Sequence, residues 1–196
     1  TLHVLPEATA KRLTGYAEGG GHLVTTFFSG VVDGNDHVHL GGYPGPLRDL
    51  LGVRVEEFAP LPDGGSAGLD NGSAGSLWTE RLQVRGPDVQ VLGSYTTGPS
   101  AGHAAITRRP LDGGGSASYV STHLGAGDLS RFLERLLASA EVHSELPEDL
   151  RGRVELAVRA DETSEYWFCF NRTDRPVDTA GLPGTSLLPG HGGEEV

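Results

Sequence analysis

The sequence predicts an α/β fold: an open, mainly parallel sheet flanked by helices, followed by a small, partial antiparallel β-domain. Three observations carry this expectation. Residues 6–18 keep helical spacing and run into residues 22–28, a β-rich and nearly continuous apolar run of the kind covered on both faces of a parallel sheet. Residues 19–61 then join that strand to a glycine-rich loop, a short helix and a second strand, which is βαβ ordering with a right-handed crossover. From Arg153 the pattern changes to consecutive strands, which argues for a second domain.

Each element follows from local signals. Thr1, Leu2, His3, Val4 and Leu5 read as the middle of a strand, so the native start is expected upstream. Pro6 suits the first turn of a helix, whose face would comprise Ala8, Leu13, Tyr16 and Ala17, and three glycines at 19–21 end it. Residues 45–51 form a short helix capped by Gly52, and residues 53–58 a strand. Residues 60–76 are rich in Gly, Ser and Asp without any period, and are expected to be an exposed, mobile loop. Short strands with turn punctuation follow around Trp78 to Val84, and at 89–92, 103–107 and 116–121. The clearest helix spans 127–140, capped by Asp128, with Leu129, Phe132, Leu133, Leu136 and Leu137 on one face. Residues 144–152 are polar, contain Pro147 and read as a linker between a domain at 1–143 and one at 153–196.

Composition narrows the function classes. The chain has 196 residues, 30 of them Gly and 12 Pro, with a net charge of −11 from 15 basic and 26 acidic residues. A surplus of acid repels phosphate backbones, so no nucleic-acid partner is expected. No apolar run reaches the length of a transmembrane helix and no signal segment opens the chain, so no membrane partner is expected either. Cys169 is the only cysteine, which excludes an internal disulfide, fits a reducing compartment and points to a cytoplasmic location. Its neighbours Tyr166, Trp167, Phe168 and Phe170 suggest a buried strand with an inert thiol.

A set of ordered segments is more specific. They are Phe28-Ser29-Gly30-Val31-Val32-Asp33, Val38-His39-Leu40-Gly41-Gly42-Tyr43-Pro44-Gly45, Leu50-Leu51-Gly52-Val53 and Val55-Glu56-Glu57-Phe58. Trp78-Thr79-Glu80, Val91-Leu92-Gly93-Ser94-Tyr95, Ala105-Ile106-Thr107-Arg108 and Tyr119-Val120-Ser121-Thr122 continue the series. Val154-Glu155-Leu156, Phe168-Cys169-Phe170-Asn171-Arg172-Thr173 and Leu187-Leu188-Pro189-Gly190 end it. In this series the chain resembles the glycoside hydrolase family 42 β-galactosidases, departing from them at His37, often Arg there, and at Phe27, often Tyr. The resemblance implies a flavodoxin-like, class I glutamine amidotransferase-like trimerisation domain lacking its first strand and helix, and a small β-domain lacking its last strand. It implies a parent enzyme that hydrolyses terminal β-D-galactosides with retention, using two glutamates on a barrel that this chain does not contain. The chain's part would be homotrimer assembly and shaping of the active-site mouth, with the galactoside met only through the barrel. Phe28, Ser29, Asp33, His39, Tyr43 and Pro44 would form the interface.

Local candidates for chemistry are weak. Glu56 and Glu57 are adjacent on a strand, so their carboxylates diverge, whereas a retaining pair must face one bond. Ser29 ends a strand before Gly30, but GxSxG is not matched and no base is apparent. His37 and His39, near Asp33 and Asp36, make a minimal metal set without the further ligands zinc demands. Gly41, Gly42 and Gly45 lack the Lys and Ser/Thr of a phosphate loop. No catalytic, cofactor or metal residue is therefore expected. The alternatives are a free-standing assembly or carbohydrate-binding module, or an amidotransferase-like hydrolase using Ser29.

Overall fold

The computed structural model describes residues 1–187, and Leu188, Pro189 and Gly190 of the final segment lie outside them. Contacts divide the chain into two compact units, one from Thr1 to Ala140 and one from Glu141 onward. In the first, helix α1 (Glu7–Glu18) leads into strand β1 (His22–Thr26), and a long loop follows. A 3₁₀ turn (Gly45–Leu47), helix α2 (Arg48–Leu51) and strand β2 (Val53–Pro60) come next. Then come β3 (Ser66–Gly68), β4 (Ala74–Ser76), β5 (Trp78–Val84), β6 (Gln90–Ser94), β7 (Ala104–Pro110), β8 (Ser116–Val120), β9 (His123–Leu124) and helix α3 (Ala126–Ser139).

The expectation of a flavodoxin-like, mainly parallel α/β fold is not met. The main sheet runs β1-β8-β7-β5-β2 with β6 beside β7, and only the β1–β8 pair is parallel. The reason lies in the connections. Residues 95–103 join the paired strands β6 and β7 and residues 111–115 join β7 and β8, whereas a parallel return needs a crossover of about a dozen residues or more. Strand β1 is also less enclosed than its composition suggests: Leu23 and Thr25 are buried while His22, Val24 and Thr26 are half-covered. The fully buried central strand is β8, flanked by β1 and β7. Strands β1 and β2 lie at opposite ends of the sheet order, so residues 19–61 do not form an adjacent βαβ unit.

One apolar cluster joins α1 and α2 to the sheet through Leu5, Ala17, Leu47, Leu51, Val53, Leu82 and Tyr119. A second joins α3 and β3 to it through Ala67, Leu69, Tyr95, Ile106, Val120 and Phe132. Gly52 closes α2 with φ of 64°, the left-handed cap its position predicts. Of the face expected on α1, Ala17 is buried and Leu13 packs against the core, but Ala8 and Tyr16 are exposed. Residues 60–76 are not a loop throughout: β3 and β4 form a hairpin continued by β9.

Asp128 does not cap α3, whose N-cap is Gly125. Its carboxylate accepts the Ala74 N–H at 3.0 Å and pairs with Arg131, pinning the helix to β4. Of the expected apolar face only Phe132 and Leu136 are buried, and Leu129, Leu133 and Leu137 are exposed.

In the second unit, a hairpin of β10 (Val154–Ala160) and β11 (Glu165–Asn171) packs Val154 with Leu146, Leu150 and Val177. Two of those, Leu146 and Leu150, belong to the stretch read as a linker. The aromatic run around Cys169 is covered on one side only. Trp167 and Cys169 are half-buried, while Tyr166, Phe168 and Phe170 are exposed, because among the described residues no second layer covers the other face of the two-stranded ribbon. Cys169 is a free thiol with its pKa raised by burial.

Candidate functional site: an anchored loop over an aromatic cluster

Residues 27–44 carry most of the residues singled out in the sequence. The chain start holds one side of this loop: Gly30 N–H donates to Leu2 O at 2.8 Å, Val31 N–H to His3 O at 3.0 Å, and Leu5 N–H to Val32 O at 2.8 Å. Its far end pairs with β2, where Val55 N–H donates to Tyr43 O at 2.9 Å. Gly30 and Gly45 cross closely beneath it. Both have positive φ, and a Cβ would meet Pro44 O at 2.7 Å from Gly30 and Gly30 O at 2.5 Å from Gly45. Only glycine allows that approach.

The loop carries aromatic side chains from the end of β1 to those of β2 and β5. Phe28 lies 4.3 Å from Trp78 and 5.7 Å from Phe58 between ring centroids, and Tyr43 stacks on Phe58 at 5.0 Å. Phe28 itself adopts φ of 59°, a left-handed conformation that costs a bulky residue strain, so neighbouring contacts must impose it. The sheet curls here, since rings attached near its first and last strands touch.

Beneath the rings lies Glu80, with no exposed surface. Its carboxylate accepts the Tyr119 hydroxyl at 2.8 Å and the Trp78 indole N–H at 3.3 Å, and the Phe28 backbone N–H also faces it. Burial pushes its pKa up to about 7, against the lowering effect of these donors. The same burial, with Glu80 alongside, raises the Tyr119 phenol well above its usual value, and Tyr95 rises to about 12. Tyr95 in turn is bonded to Ser121 at 2.8 Å. Sequence reading missed Glu80 and Phe58, although a Glu two residues after a Trp in a strand places both on one face.

The remaining candidates fall as follows. Ser29 is buried, its hydroxyl accepting the Leu2 N–H at 3.2 Å, and among the described residues no imidazole or carboxylate bonds to it. The left-handed position at the strand's end carries a phenyl ring, not a nucleophile. Asp33 Oδ1 accepts the N–H groups of Asn35 and His37, which hold its pKa below the usual carboxylate value and close the tip of the loop. His39 turns inward and contacts Leu5 O through Nε2 at 3.0 Å, while His37 stays exposed, 3.7 Å from Asp33. Among the described residues no three His, Cys, Asp or Glu groups converge on a possible ion. Pro44 is buried and follows a cis peptide bond. Glu57 pairs with Arg81 at 2.6 Å and Glu56 lies 3.9 Å from Arg54.

Among the described residues the site is thus an anchored, apolar-tipped loop over an aromatic cluster, carried on a mostly antiparallel sheet. The family follows from comparison: a family model described as the β-galactosidase trimerisation domain matches residues 1–143. The chain belongs to the glycoside hydrolase family 42 β-galactosidases, in that region of them. A β-galactosidase of an Arthrobacter species is 35% identical over 191 residues, which cover 97% of this chain and 27% of that protein. The β-galactosidase LacZ of Heyndrickxia coagulans is 37% identical over 177 residues, 88% of this chain and 26% of that protein. The crystal structure of β-galactosidase from Bacillus circulans sp. alkalophilus superposes with a TM-score of 0.79 at 28% identity, over 89% of this chain and 26% of that one. The chain thus spans about a quarter of the length of these relatives. No helix among the described residues is long and apolar enough to cross a membrane.

Proposed function

We propose that this chain is the assembly part of a longer β-galactosidase, one that hydrolyses terminal β-D-galactosides with retention. It would join three copies into a homotrimer and shape the mouth of a neighbouring active site. The glutamates that perform the hydrolysis would lie in a barrel outside this chain. Residues 1–143 would form the assembly domain, 144–152 a linker and 153–196 a small β-domain. The observation that carries the reading is the match of the trimerisation-domain model over residues 1–143.

The loop supports it physically. Val38 is 56% and Leu40 89% exposed at the tip of a segment whose two sides are tied down by backbone hydrogen bonds. A preorganised loop presenting apolar side chains loses little entropy on association. Phe28, Asp33, His39 and Tyr43 would flank the contact, with Ser29 and Pro44 supporting the loop from inside.

The test is light scattering on the full-length enzyme, with and without the paired substitutions Val38→Asp and Leu40→Asp. Wild type is expected at three chain masses and the variant at one. A variant that remains trimeric removes the loop from the interface, and a monomeric wild type removes the assembly role. The 196-residue chain alone is expected to show no turnover of nitrophenyl β-galactoside.

A further inference from the structure

We propose that the cleft between α3 and the β6–β7 part of the sheet is a binding site for a small organic anion, a carboxylate carried on a compact apolar body. The cleft has a volume of about 240 Å³. That is below the roughly 300–1,000 Å³ of sites for drug-sized ligands and matches a molecule of one ring. Its floor is apolar, formed by Leu92, Ile106, Leu124, Phe132 and Leu136.

Three guanidinium groups, of Arg108, Arg131 and Arg135, share this small space in a chain whose net charge is −11. The cleft's one carboxylate, Asp128, is already engaged by Arg131 and by the Ala74 N–H. The guanidinium groups of Arg108 and Arg135 have no hydrogen-bond or ion-pair partner among the described residues. The Nε of Arg108 is sealed from solvent and lacks an acceptor. A buried donor without an acceptor is costly, and a guanidinium fork matches a carboxylate in two parallel bonds. The Gln90 amide also lines the cleft, while the hydroxyls of Ser73 and Ser139 already donate to Asn71 Oδ1 and Leu136 O. Two unpaired guanidinium groups over an apolar floor select a charged head and an apolar body together. A bare inorganic ion would leave the floor uncovered, and a neutral ring would leave the arginines unanswered.

The experiment is calorimetric titration of the 196-residue chain with benzoate, benzamide and inorganic phosphate. Benzoate is expected to bind saturably at one site, at least tenfold tighter than benzamide or phosphate. Arg108→Gln and Arg135→Gln are each expected to weaken benzoate at least tenfold. Circular dichroism checks that the variants fold, and the comparison of benzoate with benzamide on wild type does not depend on them. Equal binding of benzamide, phosphate as tight as benzoate, no heat with benzoate, or variants indistinguishable from wild type would each overturn the proposal. A second arm titrates the full-length enzyme. Binding there as well supports a site for a free ligand, whereas binding by the 196-residue chain with none by the full-length enzyme shows that a segment of the enzyme fills the cleft and overturns it.

Discussion

Among single residues, Glu80 has the most distinctive chemistry. It is an ionisable group with no solvent contact, held between the Tyr119 hydroxyl, the Trp78 indole and the Phe28 backbone. Its folded pKa of about 7 stands above the ordinary 4.5, because desolvation outweighs three donors. Between those values the folded chain keeps a proton that the unfolded chain has lost, so its contribution to stability declines as pH rises from 4.5 to 7. The full decline is on the order of 3 kcal/mol. Glu80→Gln should remove this dependence. The amide oxygen can accept from Trp78 while the amide N–H donates to Tyr119, which reproduces the protonated acid. Urea unfolding at pH 5 and pH 8 is expected to show the variant near wild type at the lower pH and more stable at the higher. Equal differences at both values would mean that Glu80 does not titrate in this range. Little of this was legible in the sequence. Trp78-Thr79-Glu80 was visible as a motif, but a glutamate in a strand reads as solvent-facing until its neighbours are placed.

Among elements, helix α3 separates what periodicity tells from what packing decides. Its five spaced apolar residues were enough to identify a helix with one apolar face. Which of them meet the sheet depends on how the helix rolls, and Asp128 sets that by bonding to Ala74 and Arg131. Phe132 therefore joins the second core and Leu136 is buried beside the sheet, while Leu129, Leu133 and Leu137 stay outside. Leu136→Ala is expected to lower the chain's unfolding free energy by about 2–4 kcal/mol, and Leu133→Ala by about 0.5 or less. Chemical denaturation of the two variants measures the difference, and similar losses would place the roll of α3 in error. The β3–β4 hairpin shows the opposite failure. Ala67, Gly68, Ala74 and Gly75 are too small to write an apolar period, and Gly75 approaches the Thr122 side chain so closely that a Cβ would collide with it. Contacts of that kind, distant in sequence, leave no local trace.

At the scale of the whole molecule, the two units differ in what they can sustain. The first has two apolar clusters on a six-stranded sheet, the second, among its described residues, a single cluster of four buried residues. A core so small does not offset the entropy of ordering its chain. Residues 1–143 expressed alone are expected to unfold in one cooperative thermal transition, and residues 144–196 alone to show none by circular dichroism. A cooperative transition in the shorter piece would contradict this account of its core. By itself the sequence determined the family, the helices and most strands, and the glycine cap at Gly52. Those properties are written in residue type and short spacing. Strand direction, the curl that brings Phe28 onto Phe58 and Trp78, the burial of Glu80 and the arginine-lined cleft were decided only by the tertiary structure. Each depends on which distant strands become neighbours, and an apolar strand has the same composition whether its partner runs parallel or antiparallel.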